Sequence, residues 1–236
     1  MKKLKGTGAS VGVAYAKAYI LKTPKFNTSK KSVSNSKLEI SKFESALSKT
    51  VSQLEKVKKI AAKKLGEEKA EIFDAHIQIA NDPEIKNEVQ QTIKNEKVCA
   101  EYVVNTVFDK YHDTFAAMED AYFKERAADV IDVKNRVLSN VLNVELPDIL
   151  SIDKEVIIVA HDLTPSETAL LNKEFVKGFI ADIGGRTSHA AIMARTMEIP
   201  AVLGLKTVSE IVKNDSYIAI DGKSGEVEID PSNKKE

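Results

Sequence analysis

The sequence predicts an α/β protein whose sheet-forming segments are interrupted by an inserted all-helical bundle. Residues 7–21 are rich in small, β-branched and aromatic residues, which indicates one or two strands. From Leu38 to Leu142 the pattern is helical, and this stretch holds one proline and one glycine. After Pro147, short apolar strands alternate with helix starts, an order typical of layered α/β units. The helical block therefore divides one α/β unit into two parts.

The composition excludes several classes of function. Basic and acidic residues number 35 each, so no overall field points to a nucleic acid or a membrane partner. No apolar run approaches the ~20 residues that a membrane helix needs, and glycines soon interrupt the basic N-terminus, unlike in a signal peptide. Cys99 is the only cysteine, so an internal disulfide is impossible. We expect a cytoplasmic protein.

The helical block is predicted to form a bundle over residues 36–143, after a polar connector. Its first helix carries apolar residues at three-, four- and seven-residue spacings: Leu47, Val51, Leu54, Ala61 and Leu65. Gly66 ends that helix. Further helices are predicted over 67–80, from the Asp82-Pro83-Glu84 start, from about Val98, and over 119–142.

The α/β unit is predicted to comprise residues 1–22 and 144–236. Its strands are predicted at 156–160, 178–183, 201–203, 217–220 and 226–229, the last pair joined by a hairpin turn at 222–225. Thr164 and Glu167 have the spacing of a capping box for one helix. Other helices are predicted from about Ser188 to Met197 and from Ser209 to Val212.

His189 is the principal candidate for chemistry. It follows Gly184 and Gly185, which permit a tight turn after a strand, and the hydroxyl residues Thr187 and Ser188, which suit a helix start. Free backbone amides and the helix dipole favour an anion at this place. The same dipole disfavours imidazolium, so the ring keeps a nucleophilic nitrogen at physiological pH.

Arginine usage supports a phosphoryl-accepting role for His189. The chain contains only four arginines, and two of them, Arg186 and Arg195, lie within six residues of His189. Guanidinium groups match phosphate oxygens in geometry and charge. The alternative is a histidine that merely caps a helix. His76 is predicted to pack within a helix, His112 to be solvated, and His161 to follow a buried strand with a weaker claim to function.

Several catalytic signatures are missing from the sequence. It contains no phosphate-binding loop of the Gly-x-x-x-x-Gly-Lys-Ser/Thr type, no cluster of Cys and His with metal-ligand spacing, and no Gly-x-Ser-x-Gly elbow. The chain thus has a phosphoryl acceptor without a recognisable donor-binding site.

Four motifs carry a family resemblance. The stretch from Gly184 to Arg195, followed by Ile199-Pro200-Ala201, resembles the phosphohistidine signature of phosphoenolpyruvate-using enzymes. The other three are Gly66-Glu67-Glu68-Lys69, Glu125-Arg126-Ala127-Ala128-Asp129 and Asp162-Leu163-Thr164-Pro165-Ser166-Glu167-Thr168. Together they resemble the N-terminal domain of enzyme I of the bacterial phosphoenolpyruvate:sugar phosphotransferase system, over essentially the whole chain.

The resemblance implies a swivelling-type phosphohistidine subdomain and a set of catalytic residues. In that family, Nε2 of the histidine matching His189 takes phosphate from phosphoenolpyruvate and passes it to a histidine of the phosphocarrier protein HPr. The hydroxyl matching Thr168 bonds the other ring nitrogen. The lysine matching Lys69 approaches the phosphoryl group, and Arg186 and Arg195 are expected to support the same chemistry.

The resemblance also implies partners. The helical subdomain is the family's docking surface for HPr, and the expected contact residues are Glu67, Glu68, Asp82, Glu84, Arg126 and Asp129. A solvated helix face is the alternative explanation of these acidic residues. The family's phosphoenolpyruvate-binding C-terminal domain, with its Mg²⁺ and dimer contacts, is not recognisable in this sequence. We therefore expect a monomer without a metal or cofactor of its own, active in exchange with HPr but unable to use phosphoenolpyruvate alone.

Two rival interpretations remain at this point. The phosphohistidine domains of pyruvate phosphate dikinase and phosphoenolpyruvate synthase share the Gly-Gly and Ser-His core, but they lack a helical insertion like residues 38–142. A non-enzymatic binding module would have the same fold without a phosphorylated histidine.

Overall fold

A computed structural model describes residues 2–22 and 24–231 of the chain. Within these ranges it describes all side chains except those of Lys64, Leu65, Lys69, Ala121, Tyr122, Glu125, Pro165, Ser166, Ala169 and His189. The chain forms two compact units. We call Met1–Thr23 with Pro147–Glu236 the sheet unit, and Pro24–Leu146 the helical unit.

The strands all belong to the sheet unit. In chain order they are β1 (Lys2–Lys5), β2 (Thr7–Ser10), β3 (Val13–Leu21), β4 (Val156–Ala160), β5 (Val176–Ala181), β6 (Ala201–Leu203), β7 (Tyr217–Asp221) and β8 (Glu226–Ile229). They make one sheet in the order β1-β8-β7-β3-β4-β5-β6-β2. The central pairs β3–β4, β4–β5 and β5–β6 are parallel, and the outer pairs are antiparallel.

The helices of the helical unit are α1 (Ser36–Leu65), α2 (Glu67–Ala70), α3 (Ile72–Asn81), α4 (Pro83–Glu96), α5 (Ala100–Ala116) and α6 (Ala121–Leu142). Those of the sheet unit are α7 (Pro165–Leu170), α8 (His189–Met197) and α9 (Val208–Ile211), with a 3₁₀ turn at Ile149–Ser151. The α/β fold class and the inserted bundle that the sequence predicts are thus confirmed.

The sheet curls until its two ends meet. β1 and β2 stand at opposite ends of the strand order, yet Gly6 alone separates them along the chain. The Gly6 amide donates to the carbonyl oxygen of Gly225 at 2.9 Å, and the Gly222 amide donates to that of Gly12 at 2.8 Å. A Cβ at Gly222 would overlap the carbonyl oxygen of Ser10. Glycine is therefore required where the β7–β8 turn crosses the end of β2.

The interior of the curled sheet is apolar. Its members come from strands β3 to β8 and from α9 and the loops beside it: Ala14, Ala16, Ala18, Ile157, Val159, Ile180, Val202, Leu205, Val208, Val212, Ile218, Ile220, Val227 and Ile229. All five residues of β4 are buried, as expected for a parallel strand that is covered on both faces. β3 alternates between exposed and buried residues over most of its length, so one of its faces is open.

The helical unit is held by an apolar core and a few buried polar contacts. Its largest fully buried side chains are Phe43, Leu54, Phe73, Ile93, Phe108 and Leu138. Asn140 on α6 donates to Thr50 Oγ1 and to Gln53 Oε1 on α1, each at 2.9 Å. The polar connector pairs with the α4–α5 loop through an isolated bridge between Ser32 and Val98. The helical unit therefore includes the connector as well as the predicted bundle.

Two elements differ from the sequence-based prediction. The charged start forms β1, although its pattern of lysines lacks an apolar face that would signal a strand. The single helix predicted over 67–80 is divided into α2 and α3 around Glu71. The first difference depends on tertiary partners, since β1 is stabilised by pairing with β8 and by ion pairs such as Lys3 with Glu228 at 2.6 Å.

We predict that Gly222→Ala lowers the free energy of unfolding by about 2–3 kcal/mol, because the new methyl group has no space beside Ser10. Gly185→Ala is the matched control, since nothing lies within 4 Å of a Cβ built there. Urea denaturation of both variants checks this. Equal stability of the two would contradict the close approach of the turn to β2.

Candidate functional site

The N-terminus of α8 is formed by a glycine turn and a serine cap. Gly184 has a φ of 102°, in the left-handed region that favours glycine, and a Cβ there would lie 3.3 Å from both Leu203 Cδ1 and Ser188 Oγ. Ser188 Oγ donates to the carbonyl oxygen of Gly185 at 2.8 Å and accepts from the Ala191 amide at 3.3 Å. His189 is consequently the first residue of α8.

This helix start is favourable for an anion. The first amides of a helix have no intrahelical acceptor, and the helix dipole adds positive potential at this end. The cap satisfies the Ala191 amide, which fixes the direction in which α8 begins. The side chain of His189 lies outside the described part of the structure. The described geometry therefore establishes the environment of the backbone at His189.

Asp182 anchors the segment that leads from β5 to α8. Its carboxylate is buried and accepts from the Ser209 amide at 2.9 Å, from the Ser209 hydroxyl, and from His161 Nδ1 at 3.0 Å. Its carbonyl oxygen accepts from the Lys206 amide at 2.8 Å. Burial by itself raises the pKa of this carboxyl, but the hydrogen bonds from Ser209 and His161 outweigh it and leave the pKa below its usual value.

Small residues let α8 pack closely. Ala190, Ala191 and Ala194 are all buried, and α8 contacts β2, β6 and α7. These alanines thus bring α8 close to its neighbours in the sheet unit. Ile192 lies on the other side of the helix and is 49% exposed.

Arg195 reaches back along α8 and fastens two backbone segments. Its NH1 group donates to the carbonyl oxygen of Ala9 on β2 and to that of Arg186, each at 3.0 Å. Arg186 itself lies in the loop before α8 and is exposed. Arg186 and Arg195 are thus in contact. The side chain of Arg195 bonds to the backbone carbonyl oxygen of Arg186, and the two guanidinium groups are not paired by this bond.

Thr168 lies on α7, which packs against α8. The residue is fully buried, and its amide donates to the carbonyl oxygen of Thr164 at 2.9 Å. The predicted capping box is present: Thr164 Oγ1 accepts from the Glu167 amide at 3.2 Å, and Glu167 Oε2 accepts from the Thr164 amide at 2.9 Å. This box positions the short helix that carries Thr168.

The acidic residues predicted for docking lie at helix starts of the helical unit. Glu67 and Glu68 form the exposed first turn of α2, and Glu84 is exposed in the first turn of α4. Asp82 caps α4, and its Oδ1 accepts from the amides of Glu84 and Ile85 at 2.8 and 3.0 Å. Part of the role of Asp82 is therefore to begin a helix. The side chain of Lys69 lies outside the described residues.

Asp129 is buried between two basic groups. Its Oδ1 lies 3.2 Å from His76 Nε2 on α3, and its Oδ2 accepts from Arg126 NH1 at 3.0 Å. The side chain of Asp129 is 8% exposed, whereas that of Arg126 is 31% exposed. Of this pair, Arg126 can reach a partner, and Asp129 holds it in place.

Two family descriptions match the sequence. Residues 5–126 match the N-terminal part of phosphoenolpyruvate-utilising enzymes, and residues 152–225 match the mobile domain of the same enzymes. The first match includes most of the inserted helices.

A solved structure and two curated relatives identify the group more closely. A solution structure described as enzyme I is 44% identical, with a TM-score of 0.87, and the match covers 98% of this chain and 94% of that one. Phosphoenolpyruvate-protein phosphotransferase of Mycoplasma capricolum is 55% identical over 97% of this chain, and that of Bacillus subtilis is 49% identical over 98%.

The chain belongs to the enzyme I family of phosphoenolpyruvate-utilising enzymes. It spans only 40% and 41% of the length of the two curated relatives, and it corresponds to the N-terminal domain of enzyme I. A domain described as the N-terminal domain of the nitrogen enzyme I matches at 26% identity with a TM-score of 0.62. The family prediction made from the four motifs is confirmed.

The described part of this enzyme I domain contains no recognisable metal cluster. Among residues 2–22 and 24–231, no group of three or more His, Cys, Asp and Glu side chains could hold a metal ion. Within those same ranges, no helix is both long and apolar enough to span a bilayer.

Sequence reasoning missed the anchoring role of Asp182 and Ser209 in this enzyme I domain. The one available signal was a carboxylate at the end of a buried strand, a position where α/β folds often place functional groups. Its partners His161 and Ser209 lie 21 and 27 positions away along the chain, so no local pattern links them.

We predict that Asp182→Asn lowers the free energy of unfolding at pH 7 by about 1–3 kcal/mol, because charged hydrogen bonds to a buried group are lost. The folded-state pKa of Asp182 lies below the unfolded value of ~3.9. The stabilisation is therefore complete above that value and disappears as pH falls through the folded-state pKa. Urea denaturation of the parent chain and of Asp182→Asn between pH 7 and pH 2 measures whether their free energies of unfolding converge at low pH. Asp153→Asn, at an exposed position, is the control. A stability difference between Asp182→Asn and the parent chain that stays constant with pH would refute the stabilising role of the Asp182 carboxylate.

Proposed function

We propose that this chain is the phosphoryl-carrying part of a phosphoenolpyruvate-protein phosphotransferase. His189 accepts a phosphoryl group that originates from phosphoenolpyruvate and passes it to the histidine of HPr. The observation that carries the proposal is the position of His189, at the start of α8 within the segment that matches the mobile domain of phosphoenolpyruvate-utilising enzymes.

The chemistry needs a neutral imidazole with one free nitrogen. The dipole of α8 disfavours a positive charge on His189, which keeps the ring nucleophilic. We assign Thr168 to hold Nδ1, which leaves Nε2 to attack phosphorus. Thr168 is suited to this because it is buried on a helix that packs against α8.

The transfer to HPr exchanges one phosphorus–nitrogen bond for another. The bond between phosphorus and His189 Nε2 breaks as a bond to the carrier's histidine nitrogen forms, and the reaction runs in both directions because the two bonds are alike. The amides at the start of α8 are donors whose orientation is set before the reaction, so they stabilise charge on the equatorial oxygens. We assign Lys69 to approach the phosphoryl group during the exchange.

Arg186 and Arg195 are proposed to have different roles in this reaction. Arg195 is a positioning residue, because its NH1 group holds the loop before α8 against β2. Arg186 has an exposed guanidinium and raises the positive potential around the loop. Replacing either residue by lysine removes the planar fork but keeps the charge.

The helical unit is proposed to dock HPr. Glu67, Glu68 and Glu84 are exposed acids at helix starts, and Asp82 is partly exposed beside Glu84. Enzyme I domains are expected to meet a basic face of the carrier, so these carboxylates would steer its approach. Arg126, held by Asp129, is proposed as a further contact residue of the helical unit.

Use of phosphoenolpyruvate itself is proposed to need the part of the relatives that this chain does not match. This chain spans about two-fifths of their length. We propose that residues 1–236 exchange phosphate with phosphorylated HPr without a metal ion, act as a monomer, and work in the cytoplasm. Measuring the rate of phosphate exchange with HPr in the presence of a strong chelator tests whether the reaction needs a metal ion.

We predict that this chain gains the mass of one phosphoryl group when it is mixed with phosphoenolpyruvate, HPr and catalytic full-length enzyme I. The gain should be acid-labile and should require HPr. His189→Ala should abolish it, because the accepting nitrogen is removed. His112→Ala is the control, since this histidine lies in the helical unit and contacts Asp113, not the Asp182 anchor. Phosphorylation of the His189→Ala variant would refute the assignment.

We predict that a Glu67→Lys and Glu68→Lys double variant raises the KM for HPr about tenfold and leaves kcat nearly unchanged, because exposed charges act mainly on encounter. The effect should shrink as salt concentration rises. Steady-state exchange at several ionic strengths measures it. Glu145→Lys, an exposed acid of the same unit, is the control. An equal rise in that variant would indicate a general charge effect in place of docking.

A further inference from the structure

The sheet unit carries a surface cleft of about 570 Å³ beside the loop that leads into α8. β2 forms one wall, α8 and the loop before it form another, and the β7–β8 turn closes one end. The cleft is lined by Gly8, Ala9, Ser10, Val11, Arg186, Arg195, Glu198, Gly222 and Lys223. We call this the basic cleft.

Charge in the basic cleft is strongly one-sided although the whole chain is neutral. Three cationic side chains line it, and in the part of the chain that the structure describes none of the three lies within 4.0 Å of a carboxylate. The only acid in the lining, Glu198, is paired with Lys173 at 2.9 Å. That hydrogen bond lowers the pKa of Glu198, so the acid stays ionised but partly neutralised.

Arg195 presents ordered donors to the basic cleft. Its NH1 group is held by the carbonyl oxygens of Ala9 and Arg186. Its Nε and NH2 groups donate to no other described residue, so the remaining N–H bonds of a fixed fork are available. A guanidinium whose orientation is set in advance loses little entropy when it binds an oxyanion.

Ser10 adds a hydroxyl without a hydrogen-bond partner among the described residues. The residue lines the cleft and is only 5% exposed, and its hydroxyl makes no hydrogen bond to the described residues. Among those residues no side-chain oxygen is both fully enclosed and unpaired, so this hydroxyl has contact with solvent, and its residue lines the cleft. Since Ser10 lies on the wall shared with Arg195's acceptor Ala9, an oxygen atom in the cleft would satisfy it.

From these contacts we propose that the basic cleft binds a small phosphate-bearing anion, a free ligand distinct from the phosphoryl group that His189 is proposed to carry. The donors are the free side of Arg195, the ends of Arg186 and Lys223, and the hydroxyl of Ser10. A phosphate offers three or four acceptor oxygens and up to two negative charges, which suits this number of donors better than a single carboxylate. Arg186 and Arg195 are shared with the proposed phosphoryl transfer, but binding of a free anion needs neither HPr nor a phosphorylated His189.

The test is an amide-resolved NMR titration of the chain at constant ionic strength. Inorganic phosphate, phosphoenolpyruvate and acetate are added separately. We expect saturable shifts at Gly8 and Gly222 with both phosphates and not with acetate. Equal affinities would show that the phosphate group alone is recognised, and tighter binding of phosphoenolpyruvate would show that an organic phosphate is preferred.

Variants decide whether the shifts come from this cleft. Lys223→Gln and Ser10→Ala should each weaken phosphate binding about three- to tenfold, as expected for the loss of one ordinary, solvent-accessible hydrogen bond. Lys213→Gln, an exposed lysine of the same unit outside the cleft, should bind like the parent chain. His189→Ala should also bind like the parent, which separates this site from the phosphoryl carrier. Unsaturable shifts, an equal response to acetate, or unchanged binding by Lys223→Gln would overturn the proposal.

Discussion

The sheet unit depends on a close backbone contact between β2 and the turn that joins β7 to β8. A Cβ at Gly222 would overlap the carbonyl oxygen of Ser10, so the contact requires a residue without a side chain. The contact closes the curled sheet and places β2 beside β6. α8 then packs on β2 and β6 through Ala191 and its neighbours. Because Arg195 binds Ala9 on that strand, the position of β2 also determines where the loop before α8 is held.

Three separate side-chain contacts support the start of α8. Ser188 caps the helix locally, Asp182 ties the end of β5 to Ser209 and His161, and Arg195 ties the loop to β2. Ser188, Asp182 and Arg195 each use a side chain to satisfy backbone groups that the turns leave unpaired. The result is a helix start whose amides are oriented before any anion arrives, which is what a phosphoryl carrier needs.

Charges of one sign are clustered at particular places in this chain. Acidic and basic residues balance over the whole sequence, yet exposed acids gather at the helix starts of the helical unit, and cations gather in the basic cleft of the sheet unit. The few arginines are placed accordingly: Arg126 bonds a buried carboxylate, and Arg195 bonds two carbonyl oxygens. A lysine would serve poorly at either position, because it lacks a planar fork with several fixed donors.

The sequence by itself determined the α/β class, the interrupting helices and the start of α8, because these depend on local periodicity, caps and glycine turns. Asp82, Thr164 with Glu167, and Ser188 all act as the caps that their spacing predicts. Only the tertiary structure decided the pairing of β1 with β8, the burial of Asp129, and the anchoring by Asp182 and Arg195. These contacts join residues far apart along the chain, up to 186 positions for Arg195 and Ala9. No local pattern encodes such distances, since they follow from how the sheet closes.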